Sequence, residues 1–367
     1  MIYLDYGATS FHKPAAVCRA VERAMRTCAN PGRGGYEPAM RAARVVYDCR
    51  EAAGKLFSCK PEQVVLTTSC THGLNLAIRS IVKPGDTVVV TGFEHNAVMR
   101  PLYALNARIR IAGRRLFDWD DTLTQFENAL QGADAAVFTH VSNVFGYILP
   151  VGEMAAMCRS RGIPFILDAA QSAGTLPVNF RELGADFVAM PGHKGLLGPQ
   201  GTGLLLCAQP GTPLLYGGTG TQSLSREMPE ELPERLEPGT LNVPGYAGLT
   251  QGLHYLNRVG TEGGFRREQG LAERCAHGLI RQGFRVFAGP HQGATVSFVP
   301  SVDCETGAEI LAGQGFAVRA GLHCAPLAHE SAGTLSTGTI RVSLGYDTTP
   351  GEIDGFLRAT AKIRGNR

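Results

Sequence analysis

The strongest constraint on how this chain can fold is an alternation of short apolar runs with longer helical stretches over roughly its first half. Val64–Thr68, Thr87–Thr91, Ala135–His140, Pro164–Asp168 and Phe187–Met190 are β-rich runs bounded by turn residues. Around them, Pro14–Cys28, Glu37–Phe57, Gly73–Ile81, Gly152–Arg161 and Phe180–Leu183 read as helices. Runs such as VVLTT and PFILD show no polar alternation, so both faces of each strand must be covered. Strands of that kind belong in a parallel sheet wrapped by helices. The expectation is an α/β fold with a large doubly wound, mainly parallel sheet, its site at the carboxyl ends of the strands. The texture changes after Pro244. A long helical region (Tyr246–Gln282), runs at Arg285–Phe287 and Ala294–Val299, a helix near Cys304–Gln314, the strand GTIRVSLG and a final helix from Thr349 predict a smaller α+β domain. The expected boundaries are 1–245 and 246–367, with the opening segment free to pack on the small domain. Residues 218–240 form the loosest stretch and read as a long functional loop.

Composition removes several function classes. Hydrophobic residues at 44% and charged residues at 18% give a globular balance, and 367 residues can bury a core without disulfide staples. A net charge of +3 leaves no footprint for nucleic acid or an anionic membrane. The basic run RIRIAGRR (108–115) reads as one solvated strand edge. No apolar run approaches the ~18 residues of a spanning helix. The start MIYLDYGATS lacks the basic-then-apolar order of a secretory signal, so a cytoplasmic setting is expected. The cysteines at 18, 28, 49, 59, 70, 158, 207, 275, 304 and 324 contain no C-x-x-C pair. Neither a disulfide framework nor a metal site is expected, and most are read as small buried hydrophobes.

Chemistry points first to a lysine. Of those at 13, 55, 60, 83, 194 and 362, only Lys194 follows an apolar strand inside a glycine-rich turn, MPGHKGLLGPQGTG. Desolvation at a sheet mouth lowers an amine's pKa and suits it to Schiff-base formation, although a structural or phosphate-binding lysine would fit the same place. Asp168 ends the strand PFILD and could face the same crevice; read alone, it would serve as well as a helix cap. Pyridoxal phosphate needs such a pair: a lysine for its aldehyde and a carboxylate to keep its pyridine nitrogen protonated.

Further motifs fall in order along the chain: YLDYGAT from residue 3, TTSCTHGLN (67–75), EHNAVMRP (94–101), HVSNVFGYILP (140–150), DAAQSAG (168–174), EPGTLN (237–242), VRAGLHCAPLAHE (318–330) and RVSLGYDTTPGEID (341–354). With these, essentially the whole chain resembles the class V aminotransferase group of pyridoxal-phosphate enzymes, in particular the cysteine desulfurases and selenocysteine lyases. The resemblance implies a fold type I pyridoxal-phosphate transferase. It implies that Cys70 and Thr71 at a helix start hold the cofactor phosphate with His193. His95 would stack on the ring and move protons. Asn143 and Gln171 would contact the phenolic oxygen, and Lys194 and Asp168 would take the roles above. Thr240 would complete the phosphate cup of a neighbouring subunit, hence a homodimer with shared sites. Arg341, with Asn143, would hold the substrate carboxylate. Cys324 would be the nucleophile, with His323 or the substrate amine taking its proton.

Three departures stand out. Pro191 replaces a phosphate-binding serine, Cys70 replaces a threonine or alanine, and Asn30-Pro31-Gly32-Arg33-Gly34 stands where relatives carry Asn-x-His-Arg-Gly. The short interval from Cys324 to Arg341 matches relatives with a compact cysteine loop. The implied activity converts L-cysteine to L-alanine, with sulfur held on Cys324 as a persulfide and passed to an acceptor protein. Selenocysteine cleavage, another lyase or aminotransferase reaction, and a non-catalytic sulfur-relay scaffold remain open alternatives. No nucleic-acid or membrane partner is expected.

Overall fold

The computed structural model describes residues 1–32 and 34–363, so Arg33 of the Asn30–Gly34 segment lies outside the described residues. A two-residue strand, β1 (Ile2–Tyr3), opens the chain. Seven strands then build the large sheet: β2 (Val64–Thr67), β3 (Thr87–Thr91), β4 (Arg108–Ala112), β5 (Ala135–Thr139), β6 (Phe165–Asp168), β7 (Phe187–Pro191) and β8 (Gly203–Cys207). Their spatial order is β2-β8-β7-β6-β5-β3-β4. From β7 to β4 every pairing is parallel, and β8 runs against both of its neighbours.

The continuous apolar runs are explained by two cores, one on each face. Along β5, Ala136 and Phe138 enter one core while Ala135 and Val137 enter the other, the two-residue period of a strand buried on both sides. Helices Glu37–Phe57, Trp119–Ala129, Val151–Ser160 and Val243–Val259 cover the first face; Cys70–Ile81 and Asn96–Ala104 cover the second. Helix Glu37–Phe57 buries Ala42, Val46, Cys49, Ala53 and Phe57, a three-to-four spacing, and stops at Ser58 in the left-handed region (φ 59°). The run RIRIAGRR does supply an edge strand, β4, with Arg108 and Arg110 exposed.

In the smaller unit, β9 (Arg285–Phe287), β10 (Thr295–Val299), β11 (Phe316–Ala317), β12 (Arg319–Gly321) and β13 (Thr339–Ser343) follow. Four of them make an antiparallel sheet, β12-β13-β10-β9, while β11 pairs in parallel with β1. The N-terminus is thereby laced to the small unit.

The long helical region expected over Tyr246–Gln282 is two helices, Val243–Val259 and Glu262–Arg281, interrupted at Gly260 (φ 72°). The first buries Tyr246, Leu249, Leu253 and Leu256 in a large-sheet core, and the second packs Leu271, Cys275 and Leu279 in the small one. We therefore propose a division into two units at Gly260 in place of the boundary at 245. Strand β8 and helices Asn96–Ala104 and Trp119–Ala129 have no counterpart in the sequence reading. The glycines and proline around GLLLC masked a strand as a turn. The loop over 218–240 carries one 3-10 turn, Glu234–Leu236, and is tied down by Glu237. That carboxylate pairs with Arg50 and accepts the Leu66 N–H at 2.6 Å, and burial pushes it up to about 7. Among the described residues, no helix is long and apolar enough to cross a membrane.

Candidate active site

The carboxyl ends of β6 and β7 place the acid and the lysine. Asp168 closes β6 opposite Thr139 of β5 and Ala189 of β7, and is 2% exposed. Its Oδ1 accepts the Ala170 N–H at 2.9 Å and the Cys70 thiol at 3.6 Å. Burial raises its pKa, opposed by the Ala170 N–H, the Lys194 charge and Cys70. Past β7 the chain turns through Gly192, where a Cβ would stand 2.1 Å from Thr202 Oγ1. Only glycine fits that approach, and the turn delivers His193 and Lys194 to the crevice. Burial and the Arg341 guanidinium lower the Lys194 pKa, with Cys70, Asp168 and Asp5 pulling the other way.

These groups wall a cavity of about 110 Å³, lined by Cys70, Thr71, His95, Asn143, Asp168, Gln171, Pro191, His193 and Lys194 with Ser69. Eight of the sequence-derived cofactor residues thus meet in one place. Thr240 does not; it lines a separate open groove with Asn30 and Pro31. Cys70 opens the helix at the cavity and gives its thiol hydrogen to Asp168, and burial holds its pKa well above the thiol range. The helix start itself is capped by Ser69, whose Oγ accepts the His72 N–H at 3.1 Å.

Each histidine at the cavity is held neutral. His95 caps helix Asn96–Ala104: its Nδ1 accepts the Ala97 N–H at 3.0 Å, so the ring proton sits on Nε2. Burial and Lys194 push its pKa down to about 4. Ahead of it Glu94 is fully buried, its Oε1 accepting from Thr91 N–H, Thr91 Oγ1 (2.5 Å) and Thr139 N–H, which ties β3 to β5. Burial pushes that carboxyl up to about 8. His193 pairs through Nδ1 with Thr9 Oγ1 at 3.1 Å and is lowered to about 4 by burial, Lys194 and Lys13. Gln171 gives its Nε2–H to the Gly7 carbonyl at 3.0 Å. An N-terminal strap, residues 5–10, thus runs over the site.

The cysteine side is built differently. Cys324 is exposed on a loop where His323 and Cys324 both have positive φ, 50° and 56°. For non-glycine residues this costs roughly 1–2 kcal/mol each, and the surroundings must offset it. Both carbonyls are used: the His323 oxygen accepts from Asn143 Nδ2 at 2.8 Å, and the Cys324 oxygen accepts the Asn96 N–H at 2.8 Å. Asn143 therefore reaches the thiol loop with the amide assigned to the cofactor. Arg341, 2% exposed on β13, donates Nη1–H to the Asn143 carbonyl at 3.0 Å and pairs through Nη2 with Asp5 Oδ1 at 2.5 Å. Asp5 also holds Arg319, directly opposite Arg341 across the β12–β13 pair. Nothing in YLDYGAT marks Asp5, because its partners lie more than 300 residues away.

His323 is not the base that sequence adjacency suggested. It is buried, its Nε2 stands 3.2 Å from Thr339 Oγ1, and burial with the Arg341 charge pushes its pKa down to about 2. A second cavity, of about 240 Å³, shares Gln171 and Lys194 with the first and runs between the two units. Glu268, 5% exposed and pushed up to about 8 by burial, faces it.

A family model for class-V aminotransferases matches residues 2–356. A protein of Methanothermobacter thermautotrophicus named a probable cysteine desulfurase is 32% identical over 99% of this chain and 95% of its own length. One of the same name from Pyrococcus abyssi is 30% identical over 97% and 92%. The apo structure of cysteine desulfurase from Thermococcus onnurineus NA1 superposes with a TM-score of 0.90 at 30% identity, covering 99% of this chain and 94% of that one. With a half-buried lysine just past one strand and a buried aspartate closing its neighbour, and a fold and sequence shared over almost its full length, this chain belongs to the class-V aminotransferase family.

Proposed function

We propose that the protein is a pyridoxal-phosphate-dependent cysteine desulfurase that moves sulfur from L-cysteine onto Cys324 and releases L-alanine. One observation carries this reading: an exposed thiol whose loop is fastened, through Asn96 and Asn143, to the walls of a cavity ending in the Lys194–Asp168 pair. The names of the relatives support it. The donor set fits the cofactor: a buried carboxylate for the pyridine nitrogen, an amine of lowered pKa for the aldehyde, and a capped helix start with His193 for the phosphate.

When bound, pyridoxal phosphate supplies a protonated ring that takes up the electron pair released at the substrate α-carbon. Asp168 keeps that ring nitrogen protonated. Arg341, backed by Asp5, receives the substrate α-carboxylate. Lys194 Nζ, its pKa lowered by burial, takes the α-proton as general base. His95 presents a neutral imidazole with its proton on Nε2. Cys324 Sγ, as thiolate, attacks the substrate sulfur: an S–S bond forms, the Cβ–S bond breaks, and its electron pair stays with the carbon that is then protonated to give alanine. The thiol's own proton passes to the substrate amine, since His323 is no base.

Thr240 completes the phosphate site of a second copy, which makes the enzyme a homodimer, and the persulfide passes to an acceptor protein in the cytoplasm. Thr240→Val should then lower cofactor retention in a protein that sediments as a dimer. The deciding assay incubates purified holoenzyme with cysteine and, separately, with selenocysteine, measuring sulfide, selenide and alanine. Equimolar alanine and enzyme-bound or released sulfur from cysteine is the expected result. A 2-oxo acid without sulfide, or no turnover, overturns the proposal.

A further inference from the structure

His323 precedes the nucleophile, yet it points away from it into the small unit. Its Nε2 meets Thr339 Oγ1 at 3.2 Å, and its ring lies 5.7 Å from that of His329 at 28°. His329 is itself fully buried, with Nδ1 2.8 Å from Thr334 Oγ1. Thr339 and Arg341 are two apart on β13, so their side chains leave the same face of the strand. One strand therefore holds both the anchor of the cysteine loop and the guanidinium that would read the substrate carboxylate. The left-handed pair at 323–324 turns the imidazole inward and the thiol outward in consecutive residues.

We propose that His323 is a positioning residue: its ring, locked between Thr339 and His329, fixes the left-handed turn that aims Cys324 at the substrate sulfur. This rests on the cysteine desulfurase reading. It adds that β13 sets the distance between carboxylate recognition and sulfur attack. The charged and titratable groups facing the ring are Arg341, Arg319 and His329. Arg341 and Arg319 are cations, and His329 is held neutral by burial, down to about 4. A protonated His323 has no acid partner there, so the ring acts by shape and hydrogen bonding.

The test uses holoenzyme with cysteine and three variants. His323→Ala should slow single-turnover persulfide formation on Cys324 by roughly 10- to 100-fold. Exchange of the substrate α-proton with solvent, which needs Lys194 but no thiol, should keep its rate, and KM should hold. Thr339→Val, which keeps shape and removes only the hydroxyl, should give about a fivefold loss in the same step, the effect of one neutral hydrogen bond. His323→Gln places an amide near the Nε2 position and should recover part of the rate. Across all three the pH profile should keep its wild-type shape. A limb that disappears in His323→Gln would mark the ring as a proton carrier and overturn the proposal. So would a persulfide step unchanged in Thr339→Val and His323→Ala. Wild-type enzyme that exchanges the α-proton but forms no persulfide would instead remove the function on which the proposal stands.

Discussion

Lys194 and Cys324 are held by opposite means. Lys194 stands at the end of a parallel strand, and regular elements with two apolar cores do the placing; Gly192 and Thr202 leave its turn no slack. Cys324 stands on an irregular loop in a conformation its residues disfavour, held by side-chain and backbone hydrogen bonds from Asn143, Asn96 and Thr339. The lysine site is a product of the sheet, so it is stiff wherever the sheet is folded. The thiol site is a product of a few polar contacts, so it can be mistuned without unfolding anything. A group that must grip a cofactor suits the first construction. A group that must reach a substrate and then a partner suits the second.

The largest expected effect breaks the comparison on the lysine side. Lys194→Ala should abolish covalent cofactor attachment and all turnover. Borohydride reduction of wild-type holoenzyme should fix the cofactor to the peptide containing Lys194, and attachment at another lysine would end this assignment. On the other side, Cys324→Ala should abolish persulfide and sulfide formation from cysteine yet leave cofactor content and visible absorption unchanged. Selenium has a weaker carbon bond and a more readily ionised leaving group, so selenide release from selenocysteine should largely persist in that variant. Sulfide at near wild-type rate would exclude the persulfide route.

A smaller effect tests the stiffness of the sheet end. Gly192→Ala pushes a methyl group into Thr202 and should destabilise the fold by about 1–3 kcal/mol, the usual cost of overpacking. Thermal melts and cofactor retention should fall together. Loss of retention with an unchanged melt would show that the turn is looser than its packing implies.

A further effect is a pH signature of the network that carries His95. Glu94 is raised from 4.5 to about 8, so the folded state binds its proton more tightly than the unfolded state. Its contribution is full below about 4.5 and is lost as pH rises through 8. In Glu94→Gln that loss is absent. Melting temperature, wild type minus variant, should therefore decline from pH 5 to pH 9; a constant difference would place the titration elsewhere.

What could be read in advance follows the same division. The strands PFILD and DFVAM, the acid that closes one and the glycine-flanked lysine after the other were visible because a doubly covered parallel strand leaves an unbroken apolar run. The local chain alone fixes which residue stands at its end. Strand β8 was not visible, since a lone antiparallel strand between glycine-rich turns carries no periodic signal of its own. Nor was the break at Gly260, which one glycine in an otherwise helical pattern does not announce.

Nothing local distinguishes Asp5 or Thr339 from any other strand residue, and adjacency to Cys324 made His323 look like a base. By itself the sequence determined the doubly wound sheet and the strand-end setting of Lys194 and Asp168, because periodicity and strand-end position are properties of contiguous residues; the candidate thiol came only with the family resemblance. Only the tertiary structure decided that Asp5 pairs with Arg341, that the Cys70 thiol meets Asp168, and that the His323 ring meets Thr339. Those contacts join segments far apart in the chain, and their sign depends on burial, which no single segment carries.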